Sequence, residues 1–449
     1  MNLLYTKSPV LDSLSRYFSS YFADLTRPTR QLLTNLLLGM VAMNGDVSIR
    51  SLHRGFLSRN SSSSLNSYYA ACRNKRLDDR QMMRQTVRFA LQAVPKELRN
   101  EPVFLSTDDT MIAKSGRHFD EVSWLFDHAC HDGHPYVNGH CFVSLTLCVP
   151  VVKKVRGISR IAYLPVPVGY TMWTKGGKSK LDLAADLVDT VMPILRRRQV
   201  VLMFDSWYMK KPFLERLTSY ENLSLIGNAR GDSAMFDLPV QREDRMGRPK
   251  KYGCRLTMQD FPCTYRYGDF HVGHRQVMTR LFGDTAVHAY VTRSKSGSTR
   301  LFFSTVDPEK LHMSGAWQAQ RSLRQAGIRD RIFYPLRLYK MRWHIETGYY
   351  EQKKFWELEN YMLRSRNGIE HLLNLVNVAH SAMRLLPYLN PKLAGEKECS
   401  AQEVRSYLSG KIQMEVLFGT LALQAQTSKK SRQLDEALKL LFSCLGEAA

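Results

Sequence analysis

Apolar residues recur at helical spacing up to about residue 98, shorten to strand spacing through the middle of the chain, and return to helical spacing after Trp317. LDSLSRYFSSYFADL places aromatic and aliphatic residues on one helical face. Thr26 and Pro28 then start a second helix over RQLLTNLLLGMVAM, and Asn44-Gly45 stops it. Asp46 or Ser48 is positioned to cap a third, short helix, SIRSLHRGFLSR. The serine-rich run Asn60 to Ser67 reads as a flexible linker before further helices ending near Leu98.

The central region begins with a β-prone run, VFLST, that leads into Asp108-Asp109-Thr110. Three more strands are predicted over YVNGHCFVSLTLCVPVV, RIAYLPVPVGY and QVVLMF. Between the last two lies the helix SKLDLAADLVDTVMPILRRR, whose last-turn arginines, Arg196 to Arg198, suit its negative end. A helix, KKPFLERLTSY, and a strand, LSLIGNAR, follow. This alternation predicts an α/β sheet. From Asp232 to Lys310 turn residues are frequent and apolar residues alternate in short runs such as VHAYVTR and RLFFSTV, which predicts a β-rich insertion. The apolar-periodic helix NYMLRSRNGIEHLLNLVNVAHSAMRLL and two helices around the basic SKKSRQ complete the chain. The resulting division is 1–98 helical, 99–231 first part of an α/β core, 232–311 insertion, 312–395 second part of the core, and 396–449 helical.

Composition adds a partner to this picture. The 449 residues are 44% apolar and 23% charged, ordinary for a folded protein, but 64 Lys and Arg against 41 Asp and Glu leave a formal charge of +23. Such an excess points to a polyanion, nucleic acid before membrane, because no apolar run approaches the roughly 20 residues of a spanning helix. The first residues carry no basic segment followed by an unbroken apolar stretch, so the expected location is the cytoplasm. Eight cysteines without C-x2-C spacing read as free thiols. His128, Cys130, His131, His134, His140 and Cys141 match no common zinc pattern and are read as loop and strand residues. Arg50, His53, Arg54 and Arg59 form a basic surface on the third helix, as in a helix-turn-helix reader or in any small bundle with a polar turn. Gly247-Arg248-Pro249-Lys250-Lys251 is similar to the AT-hook peptides that enter A·T minor grooves, and a basic surface turn explains it almost as well.

The candidate chemistry centres on YKMRWHIETGYYEQK. Tyr339, Arg342, Glu346 and Lys353 follow Y-x2-R-x3-E-x6-K, and on an α-helix they project at about 0°, 300°, 340° and 320°. Leu338, Met341, Ile345, Tyr349 and Trp356 fall on an adjacent stripe that would face a core. Asp109 and Asp205 each follow an apolar strand. Two strand-end aspartates and a helical glutamate could hold the pair of hard divalent cations, about 3.5–4 Å apart, that phosphodiester chemistry uses. Taken singly, each aspartate could instead form a turn or cap a helix, and Arg342 and Glu346 could be a solvated i,i+4 salt bridge. Asp108 and Asp109 point to opposite sides of an extended strand, so only one can face a metal.

Jointly these residues resemble the IS4-type DDE transposases, whose core is RNase H-like. That signature places D-T after the first strand, a second Asp after a later strand, and Y-x2-R-x3-E-x6-K on a helix, matched here by Asp109-Thr110, Asp205, and Tyr339, Arg342, Glu346 and Lys353. The match covers roughly Glu101 to Leu389 and includes an insertion between the second Asp and the Glu. The resemblance implies an α/β, RNase H-like mixed sheet with flanking helices. It also implies a bacterial enzyme, nucleoid-associated, that acts as a dimer on double-stranded DNA, both the inverted repeats of its insertion sequence and the target. Asp109, Asp205 and Glu346 would hold two Mg2+ ions, with Mn2+ as substitute, while Tyr339, Arg342 and Lys353 contact phosphates; the AT-hook-like run, apart from this resemblance, adds Arg248, Lys250 and Lys251 as expected DNA contacts. Asp108 stays open as the alternative first ligand. A nuclease without strand transfer and a DNA-binding protein that has lost catalysis are the rival readings.

Overall fold

The buried positions of the first helices follow the predicted periodicity. In the computed structural model, which describes residues 9–45, 47–127, 133, 135–155, 157–240, 250–311 and 331–427, helix α1 spans Pro9–Ser19 and buries Leu11, Leu14 and Phe18. Helix α2, Arg27–Ala42, has Pro28 in its first turn and ends just before Asn44-Gly45, where Gly45 takes a φ of 128°. Ser48 caps α3, Ile49–Leu52, by accepting from the Ser51 N–H at 3.3 Å. A π-helical turn, His53–Leu57, carries the chain into α4, Ser58–Asn60. The expected linker shrinks to residues 61–64, because Ser64 caps helix α5, Leu65–Cys72. Helix α6 is Asp79–Gln92. Asp46, His128, Cys130, His131, His134, Gly247, Arg248, Pro249, Trp317 and SKKSRQ lie outside the described residues.

Strand β1, Val103–Ala113, is longer than its apolar run. It pairs antiparallel with β3, Tyr136–Val155, from Phe104/Cys148 to Ala113/Gly139, so Asp108 and Asp109 sit inside the strand and not beyond its end. The ladder closes tightly there: a Cβ on Gly139 would lie 2.2 Å from the Ile112 carbonyl oxygen. On its other edge β3 pairs with β2, Ser123–Phe126, and β4, Ile158–Trp173. Helix α7, Lys180–Leu195, crosses over to β5, Val200–Phe204, which lies parallel to β1. Helix α8, Lys211–Leu217, then leads to β6, Leu223–Ala229, parallel to β5. The core order is β4-β3-β1-β5-β6, the expected RNase H-like mixed sheet.

The insertion does not form a separate body. Its strands are β7 (Met235–Phe236), β8 (Arg255–Leu256), β9 (Tyr265–Tyr267), β10 (Phe270–Thr279), β11 (Val287–Ser294) and β12 (Thr299–Ser304), and β12 pairs antiparallel with β6. The result is one twelve-stranded sheet among the described residues. Val103, Leu105, Val143 and Leu145 meet α6 and α7 on one face. Phe104, Val201 and Met203 meet Leu336 and Leu338 on the other.

Those two leucines belong to α9, Tyr334–Tyr339, which continues through a 3-10 turn, Lys340–Arg342, into α10, Trp343–Phe355. Helix α11, Arg366–Leu389, packs against β4, and α12, Ala401–Thr427, packs against α2. Buried Arg405 secures that contact by donating through Nε to the Met40 carbonyl at 2.9 Å. Apolar residues of α1, α2, α11 and α12 share one core, so the first and last described helices meet. No described helix is long and apolar enough to cross a membrane, and the described cysteines are free.

Candidate active site

Alternation along paired strands brings two carboxylates together. Ser106 lies opposite Met203 in the parallel β1/β5 ladder, and two residues further along each chain stand Asp108 and Asp205. Phe104 and Met203 bury into one core, so the period of two carries Asp108 to that face, and Asp205, which leaves β5 directly, follows it. Helix α10 covers this face. Ser144, the ladder partner of Asp108, shares a 2.7 Å hydrogen bond with the Tyr349 hydroxyl of α10.

Asp109 faces the other way. Its Oδ2 accepts from Lys180 Nζ of α7 at 2.7 Å and from the Cys141 thiol at 3.4 Å, and its Oδ1 accepts from the buried Tyr208 hydroxyl at 3.4 Å. The structure therefore brings Asp108, and not the expected Asp109, to the face that carries Glu346. Asp109 remains close: its backbone N–H donates to Asp108 Oδ1 at 2.9 Å, and its charge is felt by Asp205.

The four residues of the helical signature do share a stripe, but not on one regular helix. The 3-10 turn brings positions i and i+3 into line, so the Arg342 guanidinium lies 5.9 Å from the centre of the Tyr339 ring. Tyr339 donates its hydroxyl proton to the Phe204 carbonyl at 3.1 Å, tying the stripe to the residue before Asp205. Arg342 donates to Asp108 Oδ2 at 2.9 Å and to Glu346 Oε1 at 2.6 Å. Lys353 reaches the far end of β1, bonding the Met111 carbonyl at 2.8 Å and Glu359 at 3.0 Å. Leu338, Ile345, Tyr349 and Trp356 are buried as the pattern predicts, and Met341 packs partly buried.

Burial, reinforced by the charge of Asp205 and opposed by Arg342, pushes the Asp108 carboxyl up to about 7. Burial also raises Asp205, against the backbone hydrogen bond from Trp207 to its Oδ1 at 3.0 Å. Two partly buried carboxylates, one of which raises the other, call for positive charge beside them.

Beneath this face α10 is keyed to α11 by a polar network that periodicity does not reveal. Fully buried Gln352 accepts from the Tyr170 hydroxyl and donates to Asn377 Oδ1 at 2.9 Å and His380 Nδ1 at 3.1 Å. That bond leaves His380 Nε2 to donate to Glu351 at 3.0 Å, and Arg384 donates to the same Glu351 oxygen. Burial alone would raise Glu351, but His380 and Arg384 outweigh it and hold the carboxyl down at about 2.

Lys180 was also not singled out from the sequence. A signal was available, since a lysine in the first turn of a helix opposes the dipole and needs an anionic partner. Of the expected basic contacts in the insertion, Lys250 is exposed, Lys251 pairs with Asp284 at 2.6 Å, and Arg248 lies outside the described residues. His140 serves structure, bonded to the Tyr361 hydroxyl at 2.6 Å and the Asp120 carbonyl at 2.9 Å.

The donor chemistry of Asp108, Asp205 and Glu346, all carboxylate oxygen, suits a hard divalent cation. Among the described residues these side chains do not converge into a ready metal cage, and Arg342 stands between two of them. A family model described as "DDE superfamily endonuclease" matches residues 20–265, more than half of the chain; the match contains Asp108, Asp109 and Asp205 and ends before Glu346. No curated protein matches the chain.

Proposed function

The chain belongs to the DDE superfamily of endonucleases, and from that premise we propose that it is a cut-and-paste DNA transposase that binds the terminal inverted repeats of an insertion sequence, cleaves beside them and transfers the freed strand. One observation carries the reading: Asp108, next to Asp205 across parallel strands, is joined through Arg342 to Glu346 on a helix from a distant part of the chain. Asp108, Asp205 and Glu346 would hold two Mg2+ ions, or Mn2+. When bound, such a pair activates the attacking oxygen and stabilises the leaving one.

The chain's own side chains then have distinct tasks. Asp109 positions Asp108 through its N–H while its carboxylate holds Lys180 of α7 on the other face of β1. Tyr339 fixes the start of the Glu346 helix against β5. Arg342 and Lys353, with Lys250, Lys251 and Arg248 of the insertion, would grip DNA phosphates. Arg50, Arg54 and Arg59, exposed on α3, the π-turn and α4, would add phosphate contacts from the N-terminal region, residues 1–98. Two DNA ends require two active sites, and a homodimer would supply them.

The test is to incubate the purified chain with Mg2+ or Mn2+ and a duplex carrying the inverted repeat that flanks its coding sequence, scoring nicked, hairpin and joined products. Metal-dependent nicking followed by joining is expected. Nicking without joining would point to a simple nuclease. Tight binding with no cleavage under either metal would refute both enzymatic readings.

A further inference from the structure

One guanidinium engages two of the three carboxylates assigned to the metals. Arg342 spans from β1 to its own helix, with its side chain 15% exposed, and meets Asp108 at 2.9 Å and Glu346 at 2.6 Å. Its planar fork suits two acceptors at once, and the contacts are charge-assisted on both sides. Asp205 adds its negative charge to Asp108 from the neighbouring strand, and Arg342 offsets part of it. Asp108 and Glu346, the two carboxylates it engages, are among the residues that would hold the cation in the proposed site. A divalent ion placed there would repel the guanidinium at close range, in a site where water screens little. Phosphate is the other partner to which the same fork is matched. Lys353 offers no comparable exchange, since its ammonium is bound to the Met111 carbonyl and Glu359, away from Asp108.

We infer that Arg342 is an exchangeable counter-ion: it pairs with Asp108 and Glu346 until a DNA phosphate takes its guanidinium, and both carboxylates then turn to the metal. This rests on the metal site proposed above. DNA binding and metal loading consequently strengthen each other through a single side chain, and the effect is reciprocal. A chain without DNA binds the ion weakly. Cleavage competence is thereby confined to the complex with a bound end.

The experiment measures Ca2+ binding by calorimetry to the full chain, alone and saturated with a duplex taken from the DNA flanking its coding sequence. Ca2+ occupies hard oxygen sites, and binding is read without turnover. In the wild type, DNA should tighten Ca2+ binding roughly tenfold or more. Arg342→Ala should bind Ca2+ about tenfold more tightly than wild type in the absence of DNA, and gain little when DNA is added. Arg342→Lys keeps the charge but loses the fork that holds two carboxylates at once, so without DNA it should bind Ca2+ more tightly than wild type and less tightly than Arg342→Ala, and it serves if the alanine variant fails to fold. Unchanged or weaker Ca2+ binding by Arg342→Ala would overturn the inference. So would Arg342→Lys behaving as wild type, which would reduce the effect to net charge. Asp108→Asn separates the two levels: if it binds Ca2+ as wild type does, the metal site itself is misassigned and the exchange falls with it.

Discussion

Replacing Glu351 by Gln neutralises the carboxylate that ties the Glu346 helix to α11 while keeping its shape and an acceptor for His380 and Arg384. The side chain is 13% exposed, as is that of Arg384, so screening is limited. The Glu351 carboxyl is held at about 2 in the fold against 4.5 unperturbed. At about 1.4 kcal/mol per pH unit, ionised Glu351 contributes about 3 kcal/mol near neutral pH. The folded value is depressed, so this stability is fully present above about 4.5 and is lost as pH falls toward 2. Glutamine stands for the protonated carboxyl, so Glu351→Gln should destabilise by about 3 kcal/mol at pH 7 and by about 2 kcal/mol at pH 3.5. Urea titrations of both proteins, followed by far-UV circular dichroism at the two pH values, measure the gap. A loss under about 0.5 kcal/mol at pH 7, in the range of an exposed pair, would refute the reasoning, as would a gap that grows on acidification. His380 gives the same direction for a different reason. Burial pushes it down to about 4, so the fold excludes a proton that the unfolded chain binds below 6.5, and wild-type stability should begin to fall from there.

Two further outcomes follow from the sheet. Asp108→Asn should abolish metal-dependent cleavage with DNA binding retained in a filter or mobility assay, whereas Asp109→Asn, which disturbs a supporting group, should leave cleavage reduced by about 10–100-fold; the opposite ranking would return the first metal position to Asp109. Gly139→Ala should destabilise the chain by about 1–3 kcal/mol or more in thermal or urea unfolding, because the atom its Cβ would meet at 2.2 Å is the Ile112 backbone oxygen, which cannot swing aside.

Much of the architecture is local in origin and was legible in the residues. The β-rich texture of the insertion, the caps at Ser48 and Ser64 and the buried stripe of Leu338, Ile345, Tyr349 and Trp356 follow from side-chain periodicity and hydrogen-bonding chemistry within a few residues. Ser64 caps a helix where a linker was expected because the same short polar side chain suits a loop and an N-cap alike. β1 outruns its apolar segment because ten rungs shared with β3 hold its polar half extended.

The chain alone determined that Asp108 and Asp109 oppose each other, that Asp205 closes a buried strand, and that Arg342 and Glu346 lie one helical turn apart. Which aspartate joins them depended on which face of β1 receives the Glu346 helix and which receives α7. That choice is made by packing between residues 234 positions apart for the Glu346 helix and 71 apart for α7, and no local pattern encodes it. The same holds for the meeting of α2 with α12 and for the merging of the insertion with β6. A strand edge or an apolar helical stripe specifies that it must be covered, and only the tertiary fold decides by what.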